Sequence, residues 1–212
     1  CGIKTIVNGP ISYTPDGSPL IGPAWGLANV WLNEGHSFGV TAAGGAGWQL
    51  AEWIVEGEPG IDMLGVDPRR FGAYTGKRYT VTKNEETYRN VFTVHYPDEE
   101  RPDARPAKTS AVYAKLDRMG AVWGQRYGWE RANWFAPEGV ARKDEWSFRR
   151  TNWFEHVGNE CRLMRGKVGV IDLTPFTKPE VSGPGAEAWL DSLVANKVPV
   201  KTGRIALCHA LT

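Results

Sequence analysis

The chain has 212 residues, and its 25 Lys and Arg nearly balance its 24 Asp and Glu, for a net charge of +1. That balance gives no electrostatic case for nucleic acid or an anionic membrane as partner. No apolar run approaches the roughly 20 residues of a membrane span, and the N-terminus carries no signal-peptide pattern. Hydrophobic residues at 42% and charged ones at 23% fit a globular fold of one large domain or parts of two. Cys1, Cys161 and Cys208 are widely spaced with no C-x-x-C. That spacing argues against a disulfide framework or a structural zinc site and fits a reducing compartment, so a cytoplasmic location is expected.

Taken in order, Ile3-Lys-Thr-Ile-Val7 reads as a strand, and both ends of the chain look cut from a longer polypeptide. Thr14-Pro-Asp-Gly is a turn: Pro presets φ, Asp caps and Gly takes the left-handed position. Leu20-Ile21 with Gly22-Pro23 closes a hairpin-like unit. Asn29-Val-Trp-Leu-Asn33 is of strand length. The spacing of Gly47, Leu50, Ala51 and Ile54 predicts a helix over 48–56, ended by Gly57 as C-cap and Pro59 as stop. Between strand and helix lies Glu34-Gly-His-Ser-Phe-Gly-Val-Thr-Ala-Ala-Gly-Gly-Ala-Gly47, read as a glycine-rich turn. Such a turn brings backbone close to a ligand and aims N–H groups and a helix dipole at an anion. It also serves as a tight connection that binds nothing. Its spacing matches neither the dinucleotide fingerprint nor the P-loop.

Residues 60–110 read as a connector. It holds a helix over 84–95 capped by Asn84, and a charged, Pro-rich surface loop over 96–106. A short helix over 111–119 precedes strand-like Ala121-Val-Trp-Gly-Gln-Arg-Tyr-Gly-Trp129 and a turn at Pro137 and Gly139. Five tryptophans between Trp123 and Trp153 suggest an aromatic packing layer. Asn152, Phe154, Val157, Cys161 and Met164 recur at helical spacing, and Val168-Gly-Val-Ile-Asp-Leu173 reads as a buried strand. A last helix follows Pro184, with Ala186, Trp189, Leu190 and Leu193 on one face.

Several of these stretches together resemble one family. Asn8-Gly-Pro-Ile-Ser-Tyr-Thr-Pro-Asp-Gly17, Gly35 to Gly47, and Ala51-Glu-Trp-Ile-Val-Glu-Gly-Glu-Pro59 are similar to the end of the flavin domain of the dimethylglycine and sarcosine dehydrogenases. Phe148-Arg-Arg-Thr-Asn-Trp-Phe-Glu-His-Val-Gly158 resembles a motif of the same enzymes. Val170-Ile-Asp-Leu-Thr-Pro-Phe176 resembles the opening of their aminomethyltransferase-like domain. The resemblance implies an α+β chain in three parts. Residues 1–66 would end a FAD-dependent oxidoreductase domain, 67–124 would form a small linking domain, and 125–212 would begin a folate domain. It implies FAD and tetrahydrofolate as cofactors and an N-methyl amine as substrate. An electron-transfer flavoprotein becomes a possible partner, and the mitochondrial matrix an alternative location. A folate-dependent aminomethyltransferase without working flavin chemistry is the alternative activity. By the same resemblance Phe38, Gly39, Val40 and Thr41 would lie against the flavin ring, and Gly9, Pro10 and Ile11 would approach it from another side. The family's dinucleotide fingerprint, its flavin-attaching histidine and its folate-site acid are expected outside the chain, so this stretch alone should not catalyse.

The other candidates divide between chemistry and structure. His36 could relay a proton, but a polar loop residue is the favoured reading, because amine oxidation here needs no strong base. His95, His156 and His209 read as ordinary hydrogen-bonded histidines, and no pair has metal-ligand spacing. Asp172 could shape a folate pocket or cap a turn, with the cap favoured. Arg149 and Arg150 read as structural ion-pairing residues before anion ligands. Tyr127, Trp129 and Trp134 read as packing before a channel wall.

Overall fold

A computed structural model describes residues 2–211; Cys1 and Thr212 lie outside the described residues. The chain divides into two compact units after Pro175.

The first unit has two small cores. Strand β1 (Leu20–Pro23) pairs antiparallel with β2 (Trp31–Glu34), Leu20 opposite Glu34 and Pro23 opposite Trp31. Helix α1 (Gly39–Glu56) lies on this pair. Ile21, Ala46, Trp53 and Met63 are buried together, with Trp31, Leu50 and Val66 against them. Trp31 meets Trp53 edge-on at 5.9 Å. The fit leaves no room at Gly22: with φ +136°, an added Cβ would sit 2.7 Å from Trp53 Cζ3. The expected cap of α1 is present, as Gly57 takes φ 86° and donates its N–H to the Trp53 carbonyl. The Thr14 turn is present as well, with Gly17 N–H on the Thr14 carbonyl at 3.1 Å.

The second core forms where β3 (Ala121–Arg126) and β4 (Trp129–Phe135) pair as a hairpin. Its two-residue loop, Tyr127-Gly128, has positive φ at both positions (49° and 80°). That is the type I′ geometry that matches strand twist. Val122, Trp134 and Ala136 are buried, with Trp153 and Val157 packed on them from the start of α4 (Phe154–Gly166). Helix α3 (Tyr113–Arg118) leads into β3, and α2 (Lys77–Asn90) lies earlier in the chain, after a 3-10 turn at Pro68–Arg70. The second unit contains α5 (Ala186–Leu193), where Ala195 N–H donates to the His209 carbonyl and Leu211 N–H to that of Leu193. Helices and antiparallel hairpins in separate groups make the chain α+β. No helix among the described residues is long and apolar enough to cross a membrane.

Four expectations need correction. The glycine-rich stretch is a turn only over 35–38; from Gly39 onward it is helix. The three alanines among the glycines carry good helix propensity, and Ala46 is buried in the first core, so packing outweighs the glycine cost of about 1 kcal/mol each. The connector helix begins at Lys77, not Asn84, and ends at Asn90. Asn84 sits inside it and donates its amide to the Tyr13 carbonyl at 2.7 Å, a tertiary bond that local capping signals cannot reveal. The stretches 3–7 and 168–173 are unpaired: Ile3, Val7, Val168 and Val170 are exposed, and no strand lies beside them among the described residues. A strand needs a neighbour for its backbone groups, and apolar alternation alone does not supply one. Residues 96–106, finally, are a surface loop only in part, because their charged side chains reach inward.

Candidate functional site

The N-terminus of α1 is the feature that positions backbone donors. Phe38 is its N-cap residue and makes no side-chain cap. Thr41 and Ala42 turn their N–H groups back to the Phe38 carbonyl, both at 3.1 Å. Gly39 and Val40, the first two helical residues, have no intrahelical acceptor for theirs. The Val40 side chain is fully exposed, and Gly39 leaves the approach to the backbone open apart from the His36 Cβ at 3.5 Å. His36 holds the Asn33 side-chain oxygen through Nε2 at 2.8 Å, while its buried Nδ1 has no protein partner. Two free N–H groups at the positive end of an 18-residue helix, beside an unsatisfied imidazole nitrogen, suit an anionic or hydrogen-bonding ligand edge.

Phe38 lies on the wall of a cavity of about 580 Å³, with Tyr13, Phe71, Tyr79 and Arg101 among its other walls. Burial, with smaller contributions from Tyr74, Asp16 and Glu86, pushes the Tyr79 hydroxyl up to about 12. Gly9, Pro10 and Ile11 border a different cavity of about 390 Å³, over Asn84, Glu85 and Tyr88 of α2. Tyr13 borders both. Of the seven residues expected at a flavin ring, Phe38 thus borders one hollow and Gly9, Pro10 and Ile11 border another, while Gly39, Val40 and Thr41 line neither. Only the 38–41 group carries backbone donors of a helix start.

Of the remaining candidates, Asp172 caps its turn, accepting from Thr174 N–H at 3.0 Å and from the Thr174 hydroxyl. His156 stacks on Trp134 at 5.3 Å with the rings 9° from parallel. His95 lies against Arg101 at 2.8 Å. The Arg150 guanidinium covers the Phe154 ring at 4.1 Å. Trp134 is 1% exposed and serves packing, whereas Tyr127 is exposed at the hairpin loop. Trp129 takes Lys108 Nζ over its ring at 4.8 Å. Cys161 and Cys208 are free thiols.

Sequence reasoning passed over the buried charges. Arg105 makes a two-bond fork with Glu130 at 3.0 and 2.7 Å. Burial would lower the Arg105 guanidinium, but the hydrogen bonds and charge of Glu130 outweigh it and hold the group above the usual arginine range. Lys83 pairs with Glu86 at 2.7 Å, both nearly inaccessible, and Glu86 also accepts the Asp103 N–H. Lys108 N–H donates to the Gly128 carbonyl and its own carbonyl accepts from Glu130 N–H, both at 2.8 Å. The loop of 96–106 is therefore a strap that fixes α2 to the β3–β4 hairpin.

This join coincides with a boundary between two family matches. Residues 56–110 match the FAD dependent oxidoreductase central domain, and residues 112–212 match the GCVT N-terminal domain. Mouse dimethylglycine dehydrogenase, mitochondrial, is 41% identical over 99% of this chain and 24% of its own length. The 4-methylaminobutanoate oxidase (formaldehyde-forming) of Paenarthrobacter nicotinovorans is 35% identical over 96% of this chain and 25% of its own. The mouse pyruvate dehydrogenase phosphatase regulatory subunit, mitochondrial, is 32% identical over 96% and 24%. The chain spans about a quarter of the length of these curated relatives. The two matches in this order define a fused chain, the central domain of an FAD-dependent oxidoreductase running into a GCVT-type domain. Over nearly all of its length the chain is similar to dimethylglycine and sarcosine dehydrogenases, the human sarcosine dehydrogenase, mitochondrial, being 32% identical over 95% of it.

Proposed function

We propose that the chain is the joining segment of a flavin-dependent N-methyl amine dehydrogenase that passes the released one-carbon unit to tetrahydrofolate. The observation that carries this reading is the order of the two family matches within one chain, at 41% identity to a dimethylglycine dehydrogenase. FAD, when bound, supplies a two-electron acceptor for oxidation of the N-methyl group. The residues here fit that group at one place. The N–H groups of Gly39 and Val40, with the dipole of α1, favour negative charge at a ring edge lying above Phe38 and Thr41. His36 Nδ1, buried and unpartnered, would accept a hydrogen bond at the same place. Gly9, Pro10 and Ile11 form the second proposed approach to the ring. No helix dipole supports them. Tetrahydrofolate would be taken by the GCVT-type part of the full-length polypeptide, which begins within this chain. The division into 1–66, 67–124 and 125–212 is likewise part of this proposal.

A mitochondrial location takes the place of the expected cytoplasmic one, on the strength of the mitochondrial dimethylglycine dehydrogenases among the relatives. An electron-transfer flavoprotein is the proposed electron acceptor. A second reading, in which the flavin half performs no oxidation, is favoured by the relative named as a regulatory subunit. Anaerobic mixing of the full-length polypeptide with N-methyl amines separates the two. Bleaching of the oxidised flavin band supports the dehydrogenase, and an unbleached flavin with every amine supports the second reading.

A further inference from the structure

The turn before α1 is held in one shape and carries a polar atom that no protein group satisfies. Gly35 takes φ +73°, and an added Cβ there would sit 2.8 Å from Thr14 Cγ2, so the turn rests directly on the Thr14 side chain. Thr14 is itself buried and donates its hydroxyl to the Ser18 carbonyl at 2.6 Å. The next residue, His36, is thereby fixed between the end of β2 and the start of α1. Asn33 stands in β2 opposite Ile21, a core residue, and its side-chain oxygen meets His36 Nε2 at 2.8 Å. An amide oxygen only accepts, so Nε2 carries the ring proton and Nδ1 is left with its lone pair. Nδ1 is buried and has no hydrogen-bond partner among the described residues. A buried acceptor without a donor is costly, and such an atom in a native fold points to a ligand.

The groups beside it narrow the ligand. Gly39 and Val40 begin α1 with N–H groups that have no intrahelical acceptor, and an added Gly39 Cβ would lie 3.5 Å from the His36 Cβ. Two donors with one acceptor beside them complement a ligand edge that has two acceptors with one donor beside them. The pyrimidine edge of a flavin has that pattern, with N1 and O2 as acceptors and N3–H as the donor. We propose that His36 Nδ1 accepts the flavin N3–H, and that Asn33 is the positioning residue that permits this by holding the imidazole proton on Nε2. The inference rests on the flavin reading given above and deepens it, because it states which edge of the ring meets the chain here. With the proton on Nδ1 instead, two N–H donors would oppose each other. Loss of the Asn33 acceptor therefore weakens the contact although no atom of Asn33 touches the flavin.

Nuclear magnetic resonance of the full-length holoprotein, carrying FAD isotopically labelled at N3 and isotopically labelled histidine, tests this. The His36 ring should show its proton on Nε2, and the flavin N3–H should exchange slowly with solvent. His36→Leu should speed that exchange at least about tenfold and move the N3–H proton resonance upfield. Asn33→Leu should speed it about threefold by freeing the other tautomer. His36→Asn, whose amide oxygen can take the place of Nδ1, should restore most of the protection. Flavin content and melting temperature establish that each variant is folded and loaded. If His36→Leu is not, Asn33→Leu decides, because Asn33 is exposed on β2. A His36 proton on Nδ1, or wild-type N3–H exchange in flavin-loaded His36→Leu or Asn33→Leu, would overturn the proposal and leave the flavin reading in place. A full-length protein that binds no flavin would overturn both.

Discussion

Removing the Arg105 side chain should loosen the join between the two family regions more than any surface substitution. The fork to Glu130 is almost dry, with side-chain exposures of 13% and 3%. Arg105→Ala leaves the Glu130 carboxylate buried and without its countercharge. Breaking one side of such a pair costs about 3–5 kcal/mol. At about 1.4 kcal/mol per decade, that is roughly a hundredfold or more in the equilibrium for opening the hairpin. The reporters are the amides of Lys108 and Glu130, which bond across the join. Hydrogen exchange of the full-length protein, followed by mass spectrometry over peptides covering 105–135, should show at least that acceleration. The double variant Arg105→Met with Glu130→Leu removes both charges and should recover most of the protection. Exchange within about threefold of wild type in Arg105→Ala, against the expected cost, would refute the claim that this pair fastens the strap.

Other outcomes follow from the same structure. Lys83→Met strips the buried partner of Glu86 and should lower thermal stability by about 3 kcal/mol, with new proteolytic cleavage in 96–106. Gly22→Ala places a methyl group against Trp53 in a backbone conformation that L-residues rarely adopt. It should cost more than about 1 kcal/mol, read as a fall in melting temperature. Tyr79, pushed up to about 12, stays neutral in the folded protein as pH passes the ordinary tyrosine value near 10. Its contribution to stability is therefore fully present below about pH 10 and lost as pH rises toward 12. An ultraviolet titration should lose its latest tyrosine step in Tyr79→Phe. Val40, whose side chain meets nothing, is the place to alter charge at the start of α1. Val40→Asp should lower the flavin midpoint potential and Val40→Lys raise it, each by about 1 kcal/mol, or roughly 20 mV for a two-electron couple. Unchanged potentials in both would remove Phe38, Gly39, Val40 and Thr41 from the ring.

What could be read from the sequence was whatever the chain decides locally. Tyr127-Gly128 sets its hairpin through two positive φ angles, Gly57 ends α1, and the spacing from Phe154 to Met164 marks α4. Each signal sits within a few residues of its effect. The failures are tertiary. Residues 39–47 are helical because Ala46 reaches Ile21, which glycine content obscures. Asn84 resembles a cap and is a helix-interior residue bonded to Tyr13. The run at 168–173 carries strand composition without a strand to pair with among the described residues. At the candidate site, residues 38–41 were singled out by the family resemblance, but the helix start that leaves the Gly39 and Val40 N–H groups without intrahelical acceptors was not legible, because the glycines read as a turn. The acids around Trp134 were not legible either, because Asp98 and Glu100 lie in the 96–106 strap and Asp144 lies after β4, and the two segments meet only in the fold.

The central claim, oxidation of an N-methyl amine by a flavin whose ring lies at the start of α1, is tested most directly by anaerobic stopped-flow reduction of the full-length protein. Dimethylglycine, sarcosine and 4-methylaminobutanoate would be compared while the oxidised-flavin band is followed. Rapid bleaching by at least one of them is the expected result. A protein that binds no flavin, or a flavin that none of these amines reduces, would contradict the account.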